Sequence, residues 1–191
     1  AGWIEMGGGA LLTVDGLLRL TGNSTLICYS ENQAAAVDGQ WIGAGVTILA
    51  SAVTVEAGSV ITADALGYTG GVRNGPSGNG PGTTNRPDDI SPGAGYGGRG
   101  GSDRRGRAGG ATYGSVFEPV DLGSGASPDN ESPGGAGGGA IRLQIAGTLT
   151  LDGVITANGQ SMVNYGSTEP GGGSGGSIWV TTNVLKGSGR F

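Results

Sequence analysis

Glycine restricts how this chain can fold more than any other residue type. It occupies 45 of 191 positions, against about 7% in an average protein, and it is strongly clustered. Between the clusters lie runs of aliphatic and β-branched residues, such as residues 45–50 and 141–145. Because these runs can bury surface that offsets chain entropy, we expect a folded protein. The glycines do not recur at every third position along the chain, which excludes a collagen triple helix.

An internal repeat organises the aliphatic runs. Each copy has a run of alternating apolar residues, a tight turn and a second short alternating run. The copies cover residues 10–21 and onward, 46–64, 139–159, and 177–182 and onward. In the clearest copy Ile141, Leu143 and Ile145 alternate with polar residues, which is typical of half-buried strands. The chain is therefore predicted to be all-β.

The recurrence of strand pairs decides between two architectures. Similar pairs recur with loops inserted at corresponding corners, after Ala65 and after Gly159. This pattern favours a right-handed parallel β-helix, or β-solenoid, with long glycine-rich loop insertions. A β-sandwich is the alternative. We expect a single unit over residues 1–191, with insertions at about 66–138 and 160–176 that carry the interactive surface.

Five glycine-rich stretches carry a family resemblance. They are residues 96–101, 113–119, 122–125, 134–143 and 171–180. Together they resemble the glycine-rich repeats of very large extracellular proteins of protists, animals and some bacteria, over roughly residues 93–191. The resemblance implies a secreted, multi-copy, β-rich protein of the kind found in filaments, flagellar hairs and coats.

The residues available for catalysis are few. The chain has no histidine, which excludes histidine-assisted triads, and its one cysteine, Cys28, lies in an apolar run typical of a protein core. Paired carboxylates could still serve a polysaccharide-acting enzyme if Asp88, Asp89, Asp121 and Asp152 converged in a groove. We expect them to be turn and loop residues instead. The chain is predicted not to be an enzyme, with no catalytic, cofactor-binding or metal-binding residues and no cofactor.

Charge and hydropathy limit the partners. The net charge is −5 and Lys186 is the only lysine, so nucleic acid is not expected to be a partner. No apolar run approaches the roughly 20 residues of a membrane helix, so no membrane span is predicted. A basic cluster at residues 99–107 is expected to pair with nearby carboxylates. The start of the sequence has no signal region, and any secretion signal is expected to have been removed or to lie upstream.

Two tripeptides fit the acceptor rule for N-glycosylation. Asn23 precedes Ser-Thr and Asn130 precedes Glu-Ser, and both are predicted glycosylation sites on exposed loops. Trp3, Trp41 and Trp179 could stack on sugars, although packing against neighbouring segments is favoured. Glycans are therefore a further class of partner.

The combined expectation is a non-enzymatic, extracellular or cell-surface structural protein. It would be a subunit or repeat of a filament, hair or coat that assembles into a homo-oligomer through homotypic contacts. A carbohydrate-binding or adhesive module is one alternative, and a polysaccharide-acting enzyme on a β-helix scaffold is the other.

Overall fold

The computed structural model describes residues 1–85, 90–162 and 169–191, and these residues form eight strands and no helix. The strands are β1 (Trp3–Met6), β2 (Leu11–Leu20), β3 (Thr25–Cys28), β4 (Val46–Val55), β5 (Val60–Thr62), β6 (Ala140–Leu151), β7 (Val154–Thr156) and β8 (Ser177–Lys186). The odd strands form a sheet of short strands and the even strands a sheet of long strands. Within each sheet every strand pairs in parallel with the next. Consequently none of the described residues belongs to a helix that could cross a membrane.

The internal repeat is confirmed by the strand register. Each copy supplies a long strand, and the three earlier copies follow it with a short strand in the other sheet. Val53 of β4 lies opposite Leu149 of β6, and Val60 of β5 lies opposite Val154 of β7. A register irregularity recurs at one height in the long-strand sheet, for example between Ala50 and Val53. Successive copies are thus stacked in register.

The predicted right-handed parallel β-helix is wrong. A β-solenoid needs sheets that close into a continuous wall, whereas the described strands form two four-stranded parallel sheets and no closed solenoid. The reason lies in the connections, because the described parts of residues 29–45, 63–139 and 157–176 contain no strand. The long connections are glycine-rich segments that bond mainly to one another. Two parallel sheets are compatible with the β-sandwich alternative.

One hydrophobic core contains buried residues of both sheets. In the long-strand sheet Leu12, Ile48, Leu143 and Val180 lie in one in-register column, in which Ile48 and Leu143 are fully buried. The short-strand sheet contributes residues such as Ile61. Each fully buried aliphatic side chain contributes roughly 1.5–3 kcal/mol, so the columns hold the two sheets together.

A second ordered body, the glycine-rich bundle, consists of residues 67–71, 122–127, 134–139, 157–160 and 171–176. Its segments exchange backbone hydrogen bonds that belong to neither sheet. Residues 134–139 bond to segments on several sides, since Gly137 donates to Tyr68, Gly138 donates to Ser174, and Gln160 donates to Ala136. The bundle is therefore a three-dimensional array of extended chains rather than a sheet.

The bonds in the bundle recur at three-residue steps. Tyr68 and Gly71 donate to Gly123 and Ala126, each over 2.9 Å. A three-residue repeat is that of a polyproline II helix, which forms no internal hydrogen bonds. Its N–H and C=O groups therefore point outward, where neighbouring segments satisfy them. The loop insertions are thus internally bonded and ordered in their described parts.

Glycine is required in the bundle by close backbone contact. A Cβ atom built on Gly137 would lie 2.0 Å from the carbonyl oxygen of Gly123, and one on Gly67 would lie 2.1 Å from that of Gly138. These neighbours are main-chain atoms that cannot rotate away. Any larger residue must push two segments apart and break the bonds between them.

We predict that Gly137→Ala lowers the free energy of unfolding by at least about 2 kcal/mol, because the added methyl group overlaps the Gly123 carbonyl. The matched control is Gly97→Ala, since a Cβ there meets nothing within 4 Å and φ is not in the left-handed region. Urea unfolding monitored by tryptophan fluorescence measures both variants. Equal stability of the two would show that the bundle is not close-packed.

A second prediction concerns Cys28, which is fully buried. Burial raises the pKa of its thiol to about 12. Above pH ~8.5 the unfolded chain releases this proton while the folded chain keeps it, so stability falls as pH rises from about 9 toward 12. Urea unfolding at about pH 8 and 9.5 should show that the free energy of unfolding of wild type is lower at the higher pH. This decrease should be smaller in Cys28→Ala. An identical loss in the variant would assign the effect to other groups.

Candidate functional site

The long-strand sheet ends in two open edges, whereas in the short-strand sheet Arg190 bridges to Val154 on the outer side of β7. β1 and β2 lie at one edge of their sheets, here the first end, and β7 and β8 lie at the other, the second end. No described strand pairs with the outer side of β2 or β8. An unpaired strand edge presents a row of free N–H and C=O groups that can pair with another strand.

The first end exposes apolar side chains. Trp3 and Ile4 of β1 are 72% and 70% exposed. Beside them a cavity of about 350 Å³ opens into the core and is lined in part by Met6, Leu12 and Leu18. These three side chains pack on the core but are only partly covered. The residues that the structure describes therefore leave the core uncapped at this end.

The second end has the same character. Leu185 and Phe191 are 55% and 56% exposed. They line a cavity of about 320 Å³ together with Ile178, Val180 and Thr182. In stacked-repeat proteins a polar terminal unit normally covers such a surface. Neither end is covered in that way by the described residues.

The two ends are complementary in register. The columns that run through the long-strand sheet link Leu12 to Val180 and Leu18 to Leu185. A β2 strand placed beside β8 in the same register would therefore set Leu12 against Val180 and Leu18 against Leu185. It would also set Lys186 beside Arg19, whose charge is already paired with Glu56. The two ends thus have matching register positions along the long-strand sheet.

The predicted glycosylation sites both lie on the surface. Asn23 is exposed in a turn and has a φ of 58°. Asn130 is exposed as well, and its carbonyl accepts a hydrogen bond from Arg73, whereas Ser132 of the same tripeptide is buried. Exposure allows modification at both asparagines, and glycosylation stays a prediction.

The three tryptophans do not form a single row. Trp3 is exposed at the first end. Trp41 is half-buried and meets the Tyr68 ring edge-on at 5.0 Å. Trp179 lies in β8 under the guanidinium of Arg142, which is 4.1 Å from its ring centroid. Each tryptophan therefore has its own surroundings, and only Trp3 is largely free of packing.

The described carboxylates do not converge. Asp121 lines a cleft beside Ala140, at the start of β6. Asp152 follows the end of β6 and accepts hydrogen bonds from Ser188. Because β6 has 12 residues and a strand rises about 3.3 Å per residue, the two aspartates lie at opposite ends of a long strand. Asp88 and Asp89 lie outside the described residues.

The basic cluster is paired internally. Asp103 accepts hydrogen bonds from the backbone N–H groups of Arg105 and Arg107 and forms an ion pair with the Arg107 side chain. Arg107 also donates to the carbonyl of Ile90, and Arg104 lies 3.5 Å from Glu169. The cluster thus orders its own loop, as its neighbouring carboxylates predict.

The exposed ends of the two sheets could be predicted only in part from the sequence. The alternating apolar patterns predict the strands, but the exposure of Trp3 and Leu185 depends on the register. The signal that could have predicted the matched ends is the alignment of β2 with β8 through the repeat.

Comparisons with family models, with curated proteins and with solved structures find no match to this chain. The resemblance to glycine-rich extracellular repeats therefore stays an expectation, and the geometry of the two ends carries the functional argument.

Proposed function

We propose that this chain is a non-enzymatic structural unit of an extracellular filament, hair or coat. Copies stack end to end, with the second end of one copy on the first end of the next. The observation that carries the proposal is that both ends expose the core and an unpaired strand edge in matching register. The occupant of each end is a second copy of this chain.

Stacking satisfies both kinds of exposed group at once. The edge of β2 pairs its backbone with β8, and the apolar side chains of the two ends leave water. Each large apolar side chain that becomes buried contributes roughly 1.5–3 kcal/mol. Because the two ends are different surfaces, the contact is head-to-tail, and in-register strand pairing places the copies along one axis without a closing rotation. Repetition of such a contact produces a filament.

The register assigns the junction to the long-strand sheets. Through the columns of the short-strand sheet, Trp3 corresponds to Val154, but Arg190 already bridges to the outer side of Val154. β1 of the next copy can therefore pair with β7 only where Arg190 leaves this edge. The aliphatic columns of the long-strand sheet align the copies.

The extracellular location is part of the same proposal. It is supported by the resemblance to secreted glycine-rich repeats and by the two surface asparagines in acceptor tripeptides. The glycine-rich bundle would cover one side of each stacked unit, with its backbone groups already bonded. A unit of this kind needs no reactive group, because its function is to hold a shape and to stack.

Two single variants test the stacking with opposite defects. Leu18→Lys places a charge at the first end, and Leu185→Glu places one at the second end. Burying an unpaired charge is costly, so each variant alone should associate at least about 100-fold more weakly than wild type. An equimolar mixture should regain association, because each variant keeps one intact end. Sedimentation velocity and negative-stain microscopy measure the size of the assemblies formed by each variant and by the mixture.

The matched control is Val116→Lys, which adds the same charge at a loop position that is 85% exposed. It should assemble like wild type. A wild-type chain that stays monomeric at high concentration would contradict the proposal. So would variants that assemble normally, or a mixture that stays as dispersed as its components.

A further inference from the structure

A cleft of about 480 Å³ lies on the outer side of the long-strand sheet. Its walls are Gly9, the loop at residues 41–45, the loop at residues 119–121 and the first residues of β4 and β6. Its volume falls in the range of about 300–1,000 Å³ that is common for small-molecule sites.

The base of the cleft is a small aromatic core. Tyr68 and Leu122 are buried together with Ala140, and Trp41 packs against them. The backbone N–H of Gly43 donates to the Tyr68 hydroxyl over 3.1 Å. A Cβ on Gly43 would lie 2.4 Å from the Leu122 side chain, which shows how closely this loop is seated. The wall that carries Trp41 is therefore held in place.

The opposite wall is fixed by hydroxyl groups. Ser177 Oγ donates to the carbonyl of Asp121 over 2.9 Å, and the Tyr113 hydroxyl donates to the carbonyl of Leu122. Tyr113 in turn meets the Tyr96 ring edge-on at 5.0 Å. These contacts hold the backbone of Asp121 at the rim of the cleft.

Two charged side chains in the cleft have unmet hydrogen-bonding capacity. Arg142 stacks on Trp179, and its Nε is buried with no hydrogen-bond partner among the described residues. No described residue donates a hydrogen bond to the Asp121 carboxylate, and no ion pair joins it to Arg142. Arg142, which carries hydrogen-bond donors, and Asp121, which carries acceptors, thus line one cleft without pairing with each other.

Arg142 and Asp121 together determine which class of ligand the cleft can bind. Neighbouring hydroxyl groups can accept from Arg142 and donate to Asp121 at the same time. Half-buried Trp41, together with Pro119 and Val120, offers apolar surface for the C–H face of a sugar ring. One positive and one negative charge balance, so an acidic sugar would gain one ion pair and meet one repulsion.

We propose that this cleft binds a neutral oligosaccharide. Arg142 and Asp121 hold vicinal hydroxyl groups and Trp41 contacts the ring. One unit of a filament would present one such site on its side.

The test uses the three tryptophan indole N–H signals of ¹⁵N-labelled protein. Trp41 and Trp179 border the cleft residues, whereas Trp3 lies at the first end and serves as an internal control. The Leu18→Lys background prevents assembly from broadening the signals. Cellobiose, maltose and lactose at about 10 mM are the probes, with digalacturonate and glycylglycine for comparison. At least one neutral disaccharide should shift the Trp41 signal and leave the Trp3 signal unchanged.

Variants then assign the roles. Asp121→Asn and Arg142→Gln should each weaken binding at least about tenfold, because each removes one partner of the hydroxyl pair. Arg99→Gln, at an exposed position outside the cleft, is the matched control and should bind like wild type. Thermal unfolding of each variant checks that the fold is retained.

Three results would overturn the proposal. The first is that no neutral disaccharide moves the Trp41 signal at this concentration. The second is binding that both cleft variants leave intact. The third is a response only to the uronate or to the dipeptide, which would assign the cleft to another ligand class.

Discussion

The close approach of glycine backbones is the constraint on which the rest of the structure depends. In the glycine-rich bundle, main-chain atoms stand where a Cβ of any other residue would be, as at Gly137 against Gly123. The segments then bond to each other instead of extending the sheets. This leaves two four-stranded parallel sheets with in-register columns, and no described strand pairs with the outer side of β2 or β8. The two-sheet arrangement and its exposed edges thus have one cause.

The same constraint explains what the sequence could and could not predict. Alternation at residues 141–145 and the matched Val-Ile-Thr steps at 60–62 and 154–156 correctly indicate in-register strands. The prediction of a closed β-solenoid was wrong because alternating patterns indicate strands. They do not indicate how the glycine-rich segments between the strands form hydrogen bonds. Their three-residue repeat holds only over short stretches, such as Gly67 to Gly70, and is hidden by the overall abundance of glycine.

The cleft was beyond the reach of pattern reasoning for a different reason. Trp41, Asp121 and Arg142 come from three distant parts of the chain and meet only because the bundle folds residues 119–121 back over the start of β6. In the sequence Asp121 is one of several loop aspartates and Arg142 is a polar residue of an alternating strand. Their shared location and unmet hydrogen bonds are properties of the tertiary structure alone.

The most direct test of end-to-end stacking is the axial repeat of assembled material, measured by electron cryo-microscopy. Each copy contributes four strands to each sheet, and neighbouring strands lie about 4.8 Å apart, so the account predicts a rise of about 19 Å per copy with β8 beside β2 of the next copy. Filaments built from lateral contacts between bundles, or dispersed single copies under all conditions, would contradict it.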